Sequence, residues 1–174
     1  MNERTLSSEK NQNARPVRRD VPGWVKYVII AALALFVVFM FLNNADSKVP
    51  FTEVEQAVES QVDFETMTRA DDQTIKRDYG INAADYDGVM LYVSTFNLNA
   101  QEILLVKVKD ESQMQDVEDA VDARIESRKN DFEGYLPEQA KLLDDALVTV
   151  KGDYLFMVIS EDAGEYQTAF QKSL

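Results

Sequence analysis

Residues 88–110, GVMLYVSTFNLNAQEILLVKVKD, contain two runs rich in apolar and β-branched residues on either side of the polar segment NLNAQ. Two such runs around a turn-forming segment predict a β-hairpin. In the second run Leu104, Val106 and Val108 occupy every second position. Because side chains alternate between the two faces of a strand, we expect these three residues to face the core and the residues between them to face away from it.

A second hairpin is predicted in residues 146–160, ALVTVKGDYLFMVIS, with its turn near Gly152 and Asp153. A glycine and an aspartate between two apolar runs are typical of a tight hairpin turn. The two hairpins together supply four strands. We therefore expect a mostly antiparallel four-stranded sheet.

Helical patterns surround the two hairpins. Pro50 fits the first position of one helix, and Gly80 closes a second. The longest has Asp110 or Ser112 as its N-cap, with Gln113 or Gln115 completing a capping box, and ends before Gly134. A short helix opens at Pro137, and a final helix follows the second hairpin. This order predicts an α+β fold in which the sheet from the two hairpins is packed with helices.

An uncharged apolar run, residues 27–44, follows a flank that contains Arg15, Arg18, Arg19 and Lys26. As a helix this run is about 27 Å long, close to the roughly 30 Å thickness of a bilayer's hydrocarbon core. Basic residues before such a run keep the N-terminus in the cytoplasm. A cleaved signal peptide fits less well, because the run ends in FMFLNN rather than in small residues. We expect one transmembrane helix before the α+β domain.

These observations divide the chain into four parts. We interpret residues 1–24 as a disordered basic cytoplasmic tail and residues 25–44 as a transmembrane signal-anchor helix. Residues 45–49 are interpreted as a linker, and residues 50–174 as an extracytoplasmic α+β domain. The expected location is the cell membrane, with a single pass and the C-terminal domain outside the cytoplasm.

Composition excludes several function classes. The chain has neither cysteine nor histidine, which excludes disulfides, Ser-His-Asp and Cys-His catalysis, and most transition-metal sites. The formal net charge is −13, and an acidic domain is repelled by the phosphates of nucleic acids. None of the acidic groups continues as a calcium-binding loop. We therefore predict no metal, no cofactor and no nucleic-acid partner.

The segment RIESRKNDFEGYLPEQA, residues 124–140, joins the longest helix to the short one. Arg124, Arg128 and Phe132 lie on or beside the apolar stripe of that helix, whereas Lys129 lies off it. Tyr135 and Leu136 are expected to fill the corner before Pro137 opens the next helix. Two interpretations remain open: Arg124, Arg128, Phe132, Tyr135 and Pro137 form a structural joint, or they form a patch that binds an anion or a polymer.

Three stretches carry a resemblance to a known family: NAQEILLVKVKD, DFEGYLPEQ together with the preceding Arg124 and Lys129, and VTVKGDYLFMVIS. In these stretches the chain resembles an uncharacterised extracytoplasmic domain of Gram-positive Firmicutes, classified as domain of unknown function 4358. The resemblance implies a cell-surface module without an assigned activity. It supplies no catalytic residues.

The leading hypothesis is thus a membrane-anchored binding or accessory module of the bacterial cell envelope. Its expected partners are the membrane, through its own helix, and another envelope protein or polymer. The alternative hypothesis is an enzyme that acts on cell-wall glycans with a pair of carboxylates. A deep acidic cleft favours the enzyme, and a flat or convex surface favours the module.

Overall fold

The computed structural model describes residues 23–43 and 49–174, with side chains for residues 24–36 and 49–174. The predicted tail (residues 1–24) and linker (residues 45–49) therefore lie almost entirely outside the described residues. The chain divides into two compact units, residues 1–39 and 40–174. The elements are α1 (Gly23–Asn43), α2 (Phe51–Glu59), β1 (Met67–Arg69), α3 (Asp72–Tyr79), β2 (Gly88–Ser94), β3 (Glu102–Lys107), α4 (Met114–Phe132), α5 (Pro137–Asp144), β4 (Leu147–Lys151), β5 (Tyr154–Ile159) and α6 (Ala163–Ser173).

Helix α1 belongs to the predicted anchor. Among its described side chains, large apolar and aromatic ones such as Trp24, Tyr27 and Ile30 are exposed. Over the described residues, no helix combines the length and the apolar character needed to cross a membrane.

The sheet has five antiparallel strands in the order β1-β2-β3-β5-β4, so the predicted number of four is wrong. The two predicted hairpins are confirmed as β2 with β3 and β4 with β5. The missing strand is β1, where Met67 pairs with Ser94 and Arg69 with Tyr92. A three-residue strand is too short to show a period of two along the sequence. Its extended shape comes from pairing with β2.

Helices cover both faces of the sheet. Leu104 and Val106 pack with α3, α4 and α5 on one face, as predicted. Leu105, expected to face away from the core, is equally buried because α2 and α6 cover the second face. A strand with both faces buried reads as a continuous apolar run. The prediction that residues between Leu104, Val106 and Val108 face away from the core is therefore wrong for Leu105.

Local chemistry sets most helix ends where the sequence predicts them. The Asp71 side chain accepts a hydrogen bond from the Thr74 backbone N–H at 2.8 Å at the start of α3, and Gly80 ends that helix with φ +71°. Asp110 and Gln113 form a capping box before α4. Pro50 lies one residue before α2, at the N-cap position, and not at the first helical position as predicted.

Candidate functional site

The site begins with Glu102, the first residue of β3. With 1% exposure, it is the only buried charged residue among those that the structure describes. Glu102 lies two residues before Leu104, so its side chain shares the face of the sheet covered by α4. Sequence analysis did not single it out. The signal was available, because the alternation of Leu104 and Val106 continues backward to a glutamate.

Arg124 on α4 neutralises this carboxylate. Its Nε donates to Glu102 Oε1 at 3.1 Å and its Nη2 donates to Glu102 Oε2 at 3.0 Å. The same Nη2 lies 3.3 Å from a carboxylate oxygen of Asp78 on α3. Two parallel bonds from one guanidinium give a strong and directional pair. Arg124 thereby joins β3, α3 and α4.

Tyr79 completes the interior polar network. Its hydroxyl donates a hydrogen bond to Glu102, and the guanidinium of Arg124 lies 5.7 Å from the centre of its ring. Burial, followed by the negative charge of Glu102, raises the pKa of Tyr79 well above its usual range. Glu102 therefore has both its oxygens occupied by protein donors.

The α4–α5 junction holds the β2–β3 loop, residues 95–101. Arg128 Nη2 donates to the carbonyl oxygen of Asn99 at 3.2 Å. The backbone N–H of Ala100 donates to Gln139 Oε1 on α5 at 2.7 Å. With the Arg124–Glu102 pair, three junction side chains thus contact positions 99, 100 and 102. These contacts are those expected of the structural-joint interpretation.

Two other junction residues lie where the sequence predicts. Phe132 is 3% exposed, and the guanidinium of Arg128 lies 4.7 Å from the centre of its ring. Pro137 occupies the first turn of α5. The off-stripe Lys129 forms an ion pair with Asp144 on α5, a contact that sequence analysis missed.

Tyr135 does not fill the corner, contrary to the prediction, because its side chain is 69% exposed. Leu136 is half-buried and packs against the core instead. Gly134, with φ +76°, turns the chain after α4. The backbone N–H groups of Tyr135 and Leu136 both donate to the Phe132 carbonyl, so the two residues lie in a turn after α4, from which Leu136 faces the core and Tyr135 faces solvent.

A small open groove of about 170 Å³ lies where α3, α4 and the β2–β3 loop meet. Its walls include three arginines, Arg77, Arg124 and Arg128, and two carboxylates, Asp78 and Glu102. The loop side adds an aromatic ring and amides; these residues are Phe96, Asn97, Asn99 and Gln101. The charged groups in the walls balance to +1. Residues 49–174 as a whole contain 27 Asp/Glu against 11 Lys/Arg.

The groove lies at the opposite end of the sheet from Val49, the first described residue of the domain. The Val49 carbonyl accepts hydrogen bonds from Lys107 Nζ at 3.0 Å and from Tyr154 Oη at 2.9 Å. Lys107 ends β3, whereas Glu102 at the groove begins it. The exposed side chains of Phe96 and Leu98 extend from the loop at the groove end.

A second, larger open cavity of about 640 Å³ lies between α5, β4 and the β5–α6 loop. Its walls carry the carboxylates of Glu138, Asp145 and Glu161. Asp145, the C-cap residue of α5, forms an ion pair with Lys141 in the same helix. Over the described residues, no group of three or more carboxylates is arranged to hold a metal ion.

Comparison with protein families gives a match. A family model described as Domain of unknown function (DUF4358) covers residues 60–160. The chain belongs to this family. The DUF4358 region contains the whole groove and the α4–α5 junction, and the resemblance of the sequence to domain of unknown function 4358 is thereby confirmed. Neither the curated proteins nor the solved structures contain a match.

Proposed function

We propose that this DUF4358 protein is a single-pass, membrane-anchored module whose extracytoplasmic domain binds a component of the bacterial cell envelope at the groove end. The observation that carries the proposal is the placement of the groove relative to Val49. A linker joined at Val49 lies at one end of the sheet, so it does not cover the β2–β3 loop at the other end. Exposed Phe96 and Leu98 on that loop are apolar contacts available to a partner.

The anchor part of the proposal rests on the uncharged run of residues 27–44 and on its basic N-terminal flank. Exposed apolar side chains over the described part of α1 support it, because such a surface is favourable in lipid and unfavourable in water. Protease added to intact protoplasts should digest the domain and spare a tag at Met1. A tag digested from outside contradicts this topology, as does a soluble mature form that begins near Asp46.

The binding part can be tested by photo-crosslinking in cells. A photoreactive residue in place of Phe96 should give a discrete crosslinked product with an envelope component. The matched control replaces Glu111, which is exposed at the Val49 end of the domain. Equal products from both positions, or no product from Phe96, contradict a binding surface at the groove end.

The carboxylate-dependent enzyme remains a second candidate because the larger cavity carries Glu138 and Glu161. In such an enzyme one carboxyl group protonates the leaving oxygen while the second acts as nucleophile or base. The purified protein should then release reducing sugar from cell-wall glycan, and Glu138→Gln and Glu161→Gln should each abolish the release. Activity that survives both substitutions excludes this cavity as the catalytic site.

A further inference from the structure

The three arginines of the groove differ in how many of their donors the protein uses. Arg124 forms ion pairs with both Glu102 and Asp78. Arg77 bonds only to its neighbour Asp78, and its side chain is 69% exposed. An arginine carries five N–H donors in a fixed planar arrangement. Arg77 therefore retains donors that face solvent at the rim of the groove.

Arg128 is also incompletely paired. Its Nη2 bonds to the Asn99 carbonyl, and its Nη1 lies 3.8 Å from the carboxylate of the exposed Asp131. Its Nε is the only buried side-chain nitrogen or oxygen among the described residues without a hydrogen-bond partner. Buried donors in proteins are nearly always paired. Arg128 thus keeps one buried donor without a protein partner, although its guanidinium also bonds to Asn99 and lies over the Phe132 ring.

The charge around the groove contrasts with that of the rest of the domain. The negative groups that face Arg77 and Arg128 are Asp71, Asp78 and Asp131, and Glu102 also lines the groove. Glu102 and Asp78 are shared with Arg124, and Asp131 is exposed. An anion that approaches the acidic remainder of the domain is repelled. At the groove it meets walls whose charged groups balance to +1 and the solvent-facing guanidinium donors of Arg77.

We propose that the groove binds an anionic group of a polymer, a carboxylate or a phosphate, between Arg77 and Arg128. Guanidinium groups bind both anions through paired, charge-assisted hydrogen bonds. Phe96 supplies an exposed ring against the apolar part of the repeating unit, and Asn97 supplies an amide. This inference rests on the proposed function, since it gives the chemical class of the component bound at the groove end.

The test measures binding of two anionic probes, polyphosphate and oligogalacturonate, to the full-length protein in neutral detergent at low salt. Neutral dextran serves as the uncharged control polymer. Arg77→Gln should weaken binding of at least one anionic probe by about tenfold, because a charge-assisted donor pair is lost. Lys76→Gln removes the same charge from the neighbouring position on α3, which is exposed but outside the groove, and should change binding less than about twofold. Asp131→Asn should strengthen binding, because it removes the competing carboxylate.

The two probes distinguish phosphate from carboxylate recognition, and preference for either one supports the inference. Absence of binding to both probes overturns it, as does an equal loss in Arg77→Gln and Lys76→Gln. Binding of dextran with the same affinity also overturns it. If Phe96 still gives its crosslinked product while both probes fail, the module interpretation stands and only the anionic ligand is wrong. If the probes bind but the crosslinking result is negative, the cell-envelope role fails independently.

Discussion

Arg124 and Glu102 form a two-bond ion pair that joins α4 to the first residue of β3, with N–O distances of 3.1 and 3.0 Å. The Glu102 side chain is 2% exposed and that of Arg124 is 16% exposed. Removal of one partner from a buried pair leaves the other charge without compensation.

Arg124→Met in a fragment of residues 49–174 should lower the free energy of unfolding by about 3 to 5 kcal/mol, measured by urea denaturation. The double variant Arg124→Met with Glu102→Leu should recover most of this loss, because apolar groups of similar volume often replace a buried pair without penalty. A single variant that loses less than about 1 kcal/mol shows that the charge of Glu102 does not depend on Arg124 for its compensation.

Arg128→Ala should lower the free energy of unfolding by about 1 to 3 kcal/mol, through the loss of packing on Phe132 and of the bond to the Asn99 carbonyl. Lys129→Ala is the matched control from the adjacent position. Its ion pair with Asp144 lies at the surface, so the expected loss is smaller than that of Arg128→Ala. Equal losses in urea melts of the two variants mean that Arg128 does not hold the β2–β3 loop.

Tyr135→Ala should change the free energy of unfolding by less than about 0.5 kcal/mol, because the ring is exposed. Leu136→Ala is the natural comparison, since Leu136 packs against the core beside Phe132. Its loss should be roughly 1 to 3 kcal/mol, less than for a fully buried leucine. A larger loss for Tyr135→Ala than for Leu136→Ala in thermal melts would mean that the Tyr135 ring fills the corner of the junction.

The free energy of unfolding is expected to fall in alkaline solution because of Tyr79. Its pKa is raised in the folded protein by burial and by Glu102, so the folded state retains this proton when the unfolded state has lost it. The stabilisation is therefore complete below the unfolded value of about 10 and decreases above it, by up to about 1.4 kcal/mol per pH unit. Tyr79→Phe should show a shallower decline above pH ~10 in urea melts at several pH values. An unchanged slope means that Tyr79 ionises as readily when folded as when unfolded.

Gly88 is predicted to tolerate no side chain. A Cβ at this position, where β2 begins, would lie 2.2 Å from Cγ of Phe51, where α2 begins. Gly88→Ala should therefore destabilise the domain by about 1 to 3 kcal/mol, and a smaller residue in Phe51→Val should reduce the effect. Gly164→Ala is the control, because nothing lies within 4 Å of its Cβ. Gly164→Ala should be neutral or stabilising by up to about 1 kcal/mol. If Gly88→Ala and Gly164→Ala have the same effect in chemical denaturation, the clash with Phe51 is ruled out.

The amino-acid sequence by itself determined the features that depend on neighbouring residues. Gly80 and Gly134 adopt the positive φ expected at helix ends, Asp110 caps the short 3-10 turn (residues 111–113) that leads into α4, and Gly152 lies in the turn of the second hairpin. Each of these relies on hydrogen bonds or steric freedom within a few positions along the chain. The α+β class and both hairpins could be predicted for the same reason.

The tertiary structure alone decided the features that depend on distant partners. β1 is a strand because it pairs with β2, and Leu105 is buried because α2 and α6 cover the second face of the sheet. Only part of the candidate site could be predicted from the sequence. Arg128 could be placed on the apolar stripe of α4, but the pairing of Arg124 with Glu102 joins residues 22 positions apart. Such a pair forms only after packing removes both groups from water, so no local pattern specifies it.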